Sequence, residues 1–143
     1  MTRKTIEDYN TTYEFAVHWG DMDAANHVNN LVYIKWTETA RILYFEKIGM
    51  DTSFRSADAG PILGWQDCKY IFPMTFPDTA MIGIKTKEIL PDKFIVECAI
   101  FSKTHNRIAA ISSQAVVPYN YKNSKKVEMP QFWIDNILSL IHI

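Results

Sequence analysis

The chain has 143 residues, of which 48% are hydrophobic and 22% are charged, and its formal net charge at pH 7 is −1. This length and composition are typical of one folded domain, predicted here over residues 1–143, and they exclude an intrinsically disordered chain. A nearly neutral chain offers no basic field for nucleic acid or for an acidic membrane surface, so we expect neither as a partner.

The N-terminal sequence MTRKTIEDYN carries charges but lacks the apolar run of a signal peptide. No stretch approaches the roughly 20 apolar residues of a transmembrane helix. Cys68 and Cys98 form no CxxC motif, which favours two reduced, partly buried thiols. We therefore expect a cytoplasmic protein.

The first predicted element is a β-strand over residues 12–19, TYEFAVHW. Tyr13, Phe15, Val17 and Trp19 alternate with the other residues of this segment. A period of two predicts a half-buried strand, so we expect these four side chains to face the core.

A polar stretch, HWGDMDAANHVNN at residues 18–30, leads into a long segment without proline or glycine before Gly49. The apolar residues of that segment recur at helical spacing but cover more than one stripe, which is typical of an enclosed helix. Asn29 or Asn30 is suited to cap its N-terminus, and Gly49 is suited to follow its last turn. We predict one long buried helix.

The remainder of the chain is predicted to be mostly β-sheet. The β-rich segments are separated by short breaks and cover residues 62–72, 80–90, 93–104 and 107–118. The breaks between the last three predict antiparallel hairpins. Residues 50–61 and the lysine-rich segment YNYKNSKK are expected to be loops, and a short terminal helix is predicted to begin at Pro130.

These elements predict an α+β architecture in which a curved antiparallel sheet of five strands wraps around one long central helix. A single helix cannot cover both faces of such a sheet, which is why we expect strong curvature. The remaining edge or open face would then be covered by a second subunit, so we expect a homodimer or a homotetramer.

The segment W-G-D-M-D-A-A-N-H-V-N-N-x-x-Y-x-x-W-x-E-x-A-R resembles the signature of hotdog-fold acyl-CoA thioesterases of the 4-hydroxybenzoyl-CoA thioesterase type, and of the related acyl-ACP thioesterases. The resemblance covers residues 15–49 closely, and the strand order as far as residue 118 agrees with it. It implies a hotdog fold, an acyl-CoA substrate, hydrolysis to a carboxylic acid and CoA, and no metal or redox cofactor.

Thioester hydrolysis requires an oxygen nucleophile and stabilisation of the oxyanion that forms at the carbonyl. The resemblance implies that Asp23 is the catalytic carboxylate and that Asn30, at the helix N-terminus, polarises the carbonyl. A turn or capping role is the alternative for Asp23. His27 is either a general acid facing the substrate or a support of the turn, because Ala25 departs from the acyl-ACP pattern.

Three further residues, Asn29, Tyr33 and Glu38, are candidates for binding the substrate. Tyr33 also lies at helical spacing, so a core position is its alternative. Glu38 is expected first to form an ion pair with Arg41 at i,i+3, and a second catalytic carboxylate is the minority interpretation. Asp21 is expected to order the loop by accepting hydrogen bonds from backbone N–H groups.

The same residues also suggest competing functions. A metal site is suggested by the spacing H-x-x-D-x-D-x-x-x-H from His18 to His27, but no further Cys or His cluster supports it. A hotdog hydratase is disfavoured because the pattern D-x-N-P-x-H is absent. An acyl-ACP thioesterase and a non-catalytic acyl-thioester-binding subunit stay open. Lys103 and Arg107 are candidates for binding the CoA phosphates.

Overall fold

The computed structural model describes residues 5–50 and 58–141. Its helices and strands are, in chain order, β1 (Thr11–Ala16), α1 (Asn30–Ile48), β2 (Gly60–Tyr70), β3 (Thr79–Leu90), β4 (Lys93–Ser102), β5 (Arg107–Asn120), β6 (Lys125–Lys126) and α2 (Gln131–Ile141). Short 3-10 turns at Ile6–Asp8 and Trp19–Asp21 lie on either side of β1. Along the described ranges, no helix combines the length and the apolar character that crossing a bilayer demands.

The strands form one curved antiparallel sheet in the order β1-β3-β4-β5-β2, and β6 pairs with β5 outside this path. Strands β3, β4 and β5 are joined by two short hairpins, which is why they are neighbours in the centre of the sheet. β1 and β2, which precede and follow α1 in the chain, take the two edges. The predicted sheet around one long helix is confirmed.

The inner face of the sheet, which faces α1, carries the core. Phe45 of α1 meets Phe94 of β4 edge to face, with 6.3 Å between the ring centroids. The residues of β4 alternate between the two faces, and the fully buried residues of its inner face include Phe94, Val96, Cys98 and Ile100. Both cysteines are free thiols, with Cys98 buried and Cys68 half-buried.

The outer face of the sheet is partly covered by the segment that precedes β1. Tyr9 packs on Gly83 of β3, where a Cβ atom would lie 2.6 Å from the tyrosine ring. The Tyr9 hydroxyl donates to Glu97 Oε2 at 3.0 Å, and Glu97 is buried although it lies on this face. Glycine at position 83 is therefore required for the N-terminal segment to approach the sheet.

Both predicted ends of α1 are confirmed. Asn29 is the N-cap, and its side-chain oxygen accepts the N–H of Leu31 at 3.0 Å. Gly49 follows the last turn with φ 86°, the left-handed conformation that glycine adopts without strain. The predicted terminal helix is α2, whose fully buried Trp133 lies edge to face with Phe94 at 6.1 Å.

Two predictions about the elements are wrong. β1 ends at Ala16 because its partner β3 begins at Thr79, so the chain beyond has no strand to pair with. Trp19, predicted for the core face, therefore lies in a 3-10 turn and is 71% exposed. The lysine-rich segment contains β6 instead of being only a loop. Of the predicted loop at residues 50–61, residues 51–57 lie outside the described ranges.

Candidate active site

The polar corner at residues 18–30 connects β1 to α1 and is held mainly by bonds to the backbone. Asp21 Oδ2 accepts the N–H of His18 at 2.8 Å, and the Asp21 carbonyl accepts the N–H of Asn29 at 2.9 Å. The predicted loop-ordering role of Asp21 is confirmed. Because one end of the loop is tied to the residue that caps α1, the corner and the helix start are held together.

Asp23 begins a tight turn inside this corner. Its Oδ1 accepts the N–H of Ala25 at 2.9 Å, and its backbone N–H donates to the carbonyl of His27 at 3.0 Å. Asn26 completes the turn with φ 61°, a left-handed conformation that asparagine tolerates better than most residues. Within the described residues Asp23 Oδ2 has no hydrogen-bond partner, so one carboxylate oxygen is available to a reactant.

Asp23 and Asn30 line one cavity beside the first turn of α1, which we call the Asp23 cavity. Its volume is about 310 Å³. The other side chains of its wall are apolar or aromatic: Val28, Tyr33, Tyr70, Ile71, Phe72 and Pro73. A carboxylate in a mostly apolar cavity is an arrangement that can place a carbonyl substrate against an oxygen nucleophile.

The start of α1, at Asn30, lies on the wall of the same cavity. The backbone N–H of Asn30 has no partner among the described residues, as expected for the first residue of a helix. The positive end of the helix dipole lies at the same point. An unpaired N–H at a positive helix end is suited to stabilise an oxyanion.

Two tyrosines brace this site. The Tyr70 hydroxyl donates to the Asn30 carbonyl at 3.1 Å, and the Tyr33 hydroxyl accepts the N–H of Met74 at 3.0 Å. Burial raises the pKa of Tyr33, and burial together with Cys68 raises the pKa of Tyr70 to about 12. Both hydroxyls are therefore protonated at neutral pH and act as hydrogen-bonding groups rather than as bases.

The Asp23 cavity brings together Asp23, Asn30 and Tyr33 of the predicted site residues. His27 is exposed, Asn29 is engaged as the N-cap, and Glu38 is exposed two turns along α1. The side chains of those three do not line the cavity. In the part of the chain that the structure describes, no three His, Cys, Asp or Glu side chains are grouped to hold a metal ion.

The predicted ion pair between Glu38 and Arg41 is not formed. Arg41 is only 8% exposed and lines a small cavity beneath β2 with Ile62 and Leu63, whereas Glu38 is exposed. Burial lowers the pKa of Arg41, and its Nη1 atom has no hydrogen-bond partner within the described ranges. The two side chains are separated because the arginine extends into the interior between α1 and the sheet.

Besides Val28 of the polar corner, four residues of the cavity wall were not predicted, namely Tyr70, Ile71, Phe72 and Pro73. They lie at the end of β2 and directly after it, far from the polar corner in the sequence. The two aromatic residues and the proline among them, grouped at a strand end, are the signal that could have marked this segment. Their position beside Asn30 depends on how β2 lies in the folded sheet.

The two residues predicted for the CoA phosphates are Lys103, in the turn between β4 and β5, and Arg107, the first residue of β5. Lys103 Nζ forms a salt bridge with Glu14 Oε1 at 2.9 Å. The Arg107 guanidinium lies over the ring of Phe72, with 4.4 Å between its central carbon and the ring centroid. The imidazole of His105 also lies against Phe72, at 4.9 Å between centroids. Of the two cations, Arg107 is therefore the one next to the Asp23 cavity.

A known protein family matches the segments of the chain that form this site. The sequence profile of the thioesterase-like superfamily matches residues 17–137, from the polar corner into α2. The chain belongs to this superfamily. The match supports thioester hydrolysis as the general reaction, in agreement with the resemblance in the polar corner.

Solved structures show that this superfamily member has the hotdog fold. The PA5185 protein of Pseudomonas aeruginosa is 24% identical, with a TM-score of 0.84 over 97% of this chain and 96% of that chain. A Thermus thermophilus thioesterase, complexed with coenzyme A and zinc, is 20% identical, with a TM-score of 0.82 over 96% and 98%. The DHNA-CoA thioesterase of Staphylococcus aureus is 14% identical, with a TM-score of 0.78 over 92% and 90%. The search of curated proteins found no match.

Proposed function

We propose that this protein hydrolyses acyl-CoA thioesters to a carboxylic acid and CoA. The observation that carries the proposal is that the Asp23 carboxylate and the first residue of α1 line one cavity. A thioester carbonyl bound there would have a carboxylate oxygen near its carbon and a backbone N–H near its oxygen. Membership of the thioesterase-like superfamily supports the same reaction.

Asp23 supplies the oxygen chemistry in either of two ways. As a nucleophile, Oδ2 attacks the thioester carbon, the C–S bond breaks, and the thiolate leaves while an acyl anhydride forms on Asp23 that water then hydrolyses. As a general base, the carboxylate takes a proton from a water molecule that attacks the same carbon, and the C–S bond then breaks as the thiolate leaves and receives that proton. Both routes pass through an oxyanion, which the Asn30 N–H and the helix dipole would stabilise.

The acyl group is proposed to lie against the aromatic wall beside α1. The ring centroid of Tyr33 is 5.6 Å from that of Trp36 and 5.4 Å from that of Tyr70, both in edge-to-face geometry. These contacts hold the Tyr33 ring in place while one side of it faces the cavity. A packed aromatic wall would bury the acyl group and position its carbonyl toward Asp23.

Two of the remaining candidate residues, Asn29 and His27, receive positioning roles in this proposal. Asn29 sets the first residue of α1 through its capping bond to Leu31. The His27 carbonyl accepts the Asp23 N–H and so helps to orient the carboxylate. Glu38 lies outside the cavity and is given no contact with the reacting carbonyl.

We further propose a homodimer that forms through β2. This strand is an 11-residue edge strand, and in the described ranges its outer edge pairs with no other strand. Ile62, Leu63, Trp65 and Tyr70 are between 37% and 47% exposed along it. A long apolar edge strand favours pairing with another chain, and a second copy would pair antiparallel about a two-fold axis. Because Tyr70 also lines the Asp23 cavity, that copy would lie next to the site.

The test of the function is thiol release from a panel of acyl-CoAs from acetyl through palmitoyl, together with benzoyl. We expect turnover of at least one member of the panel. Ligand recovered unhydrolysed would contradict the proposal and favour a binding subunit. Faster hydrolysis of the matched acyl-ACP would instead favour a carrier-protein substrate.

Light scattering tests the proposed assembly. Leu63→Lys should convert a dimer to a monomer, and a monomeric wild type would refute the β2 dimer.

A further inference from the structure

A second cavity, of about 510 Å³, lies against the outer face of the sheet at the turn between β4 and β5. We call it the outer cavity. Its floor is apolar, and its polar rim includes one cation, Arg107; the apolar residues are Ile6, Ile71, Phe101, Ile108 and Ile111. Sites for small molecules are typically cavities of roughly 300–1,000 Å³ that are mostly apolar with a few polar groups. The outer cavity has this character.

We propose that the outer cavity binds the adenosine 3′,5′-bisphosphate end of CoA, an inference that rests on the proposed acyl-CoA thioesterase function. The two cavities adjoin at the end of β2, where Ile71 lines both of them. The N–H groups of Ile71 and Phe72 both donate to the Ala109 carbonyl, at 2.8 and 3.0 Å, which holds this segment in place. The flexible pantetheine arm between the thioester and the nucleotide would therefore cross this segment.

The charge in the outer cavity is suited to a phosphate. The Arg107 guanidinium is held over the Phe72 ring at 4.4 Å, and within the described residues no carboxylate lies at salt-bridge distance from it. An arginine that is oriented by stacking and has no acidic partner can bind phosphate oxygens through two parallel N–H bonds. Lys103 on the same turn is already paired with Glu14 at 2.9 Å.

The rest of the outer cavity is suited to the adenine ring. Five apolar side chains provide a surface for a flat heterocycle, and Glu7 and Asn106 lie among the lining residues. The Glu7 carboxylate would repel a phosphate, so the phosphates are placed at the Arg107 end and the adenine amine toward Glu7. A phosphopantetheine arm on a carrier protein has no adenosine, so this cavity would favour CoA over a carrier protein.

The test compares two thioesters with the same acyl group, acyl-CoA and S-acylpantetheine, which lacks the nucleotide. Arg107→Gln is expected to raise the KM for acyl-CoA roughly tenfold with kcat unchanged, as for the loss of one charged phosphate contact. The same variant should leave kcat/KM for S-acylpantetheine within about twofold. Lys103→Gln, which removes a neighbouring but already paired cation, should leave the parameters of both thioesters unchanged.

A binding measurement separates this inference from the proposed function. Adenosine 3′,5′-bisphosphate should bind the wild type in calorimetry and bind Arg107→Gln roughly tenfold more weakly. If the wild type hydrolyses neither thioester, the proposed function fails, and the calorimetry still decides whether the nucleotide binds. Equal effects of Arg107→Gln on both thioesters, or no difference in nucleotide affinity between wild type and variant, would overturn the inference.

Discussion

The turn at Asp23 and the junction at Asp78 place the same residue type in two different environments. Asp23 lies on the exposed corner before α1, and its carboxylate accepts one backbone N–H, from Ala25 at 2.9 Å. Asp78 lies just before β3 and is half-buried. Its carboxylate accepts the Thr79 N–H at 2.7 Å, the Thr104 N–H at 3.0 Å and the Ser102 hydroxyl.

The two aspartates differ in the number of hydrogen-bond donors that face the carboxylate. Burial alone would raise the pKa of Asp78, but the hydrogen bonds from Ser102, Thr104 and Thr79 outweigh burial and lower it. That carboxylate is stabilised as an anion and joins the start of β3 to the end of β4 and the turn after it. Asp23 keeps one oxygen without a partner among the described residues and faces a cavity. A satisfied carboxylate serves the fold, and an unsatisfied one at a cavity is available for chemistry.

The largest expected effect is the loss of thioesterase activity when Asp23 is substituted. Asp23→Asn should lower kcat/KM for the best acyl-CoA at least about a hundredfold, as for removal of an essential catalytic group. It should change the free energy of unfolding by less than about 0.5 kcal/mol, because the residue is exposed and asparagine can accept the same turn bond. Thiol release and urea unfolding measure the two quantities.

The neighbouring aspartate provides the matched control for that variant. Asp21→Asn changes the other member of D-x-D, whose carboxylate accepts the His18 N–H and does not line the Asp23 cavity. It should retain most of the activity. Near-normal turnover in Asp23→Asn, or an equal loss in both variants, would show that the carboxylate of position 23 is not the reacting group.

At Asp78 the expected pattern is reversed. Asp78→Asn should destabilise the fold by about 1–2 kcal/mol, since a half-buried charge-assisted hydrogen-bond cluster loses its anion. Turnover at neutral pH should stay within about threefold of the wild type, because Asp78 does not line the Asp23 cavity. Urea unfolding and the thiol-release assay together test this. If Asp78→Asn lost activity while its stability stayed unchanged, the assignment of Asp78 to the stability of the fold would be contradicted.

The same aspartate predicts a pH dependence of stability. Because the folded-state pKa of Asp78 is lower than its ordinary value, its stabilising contribution is fully present above the unfolded pKa of about 4. That contribution is lost as pH falls through the lower folded-state pKa. The difference in unfolding free energy between wild type and Asp78→Asn should therefore shrink on acidification below about pH 4. A difference that stays constant from pH 6 to about pH 2 would refute the linkage.

The smallest expected effect is at His27. His27→Gln should change kcat/KM by no more than about threefold, because the exposed ring does not line the Asp23 cavity and the backbone carbonyl is retained. The measurement is the pH profile of turnover in both proteins. A loss of roughly a hundredfold or more would identify His27 as a general acid instead.

Features that depend on neighbouring residues in the chain were predictable. The cap at Asn29, the glycine at position 49 and the left-handed Asn26 each follow from the conformational preference of one residue type. The alternation along β4 follows from the period of two. The polar corner was recognisable for the same reason, because its residues are consecutive.

Features that depend on residues far away in the sequence were not predictable. Where β1 ends, and hence the exposure of Trp19, is decided by the start of β3. Arg41 is drawn into the interior instead of pairing with Glu38, because the space between α1 and the sheet accepts its side chain. Local patterns do not encode these outcomes, since they arise from packing between segments far apart in sequence.

The sequence by itself determined the types of the main helices and strands, the ends of α1 and the position of the polar corner, because periodicity and capping act over a few residues. Only the tertiary structure decided that the end of β2 completes the Asp23 cavity, and that Arg107 rather than Lys103 lies beside it. The physical reason is that the wall of a cavity is made by contacts across the sheet, and those contacts exist only once the strands have paired.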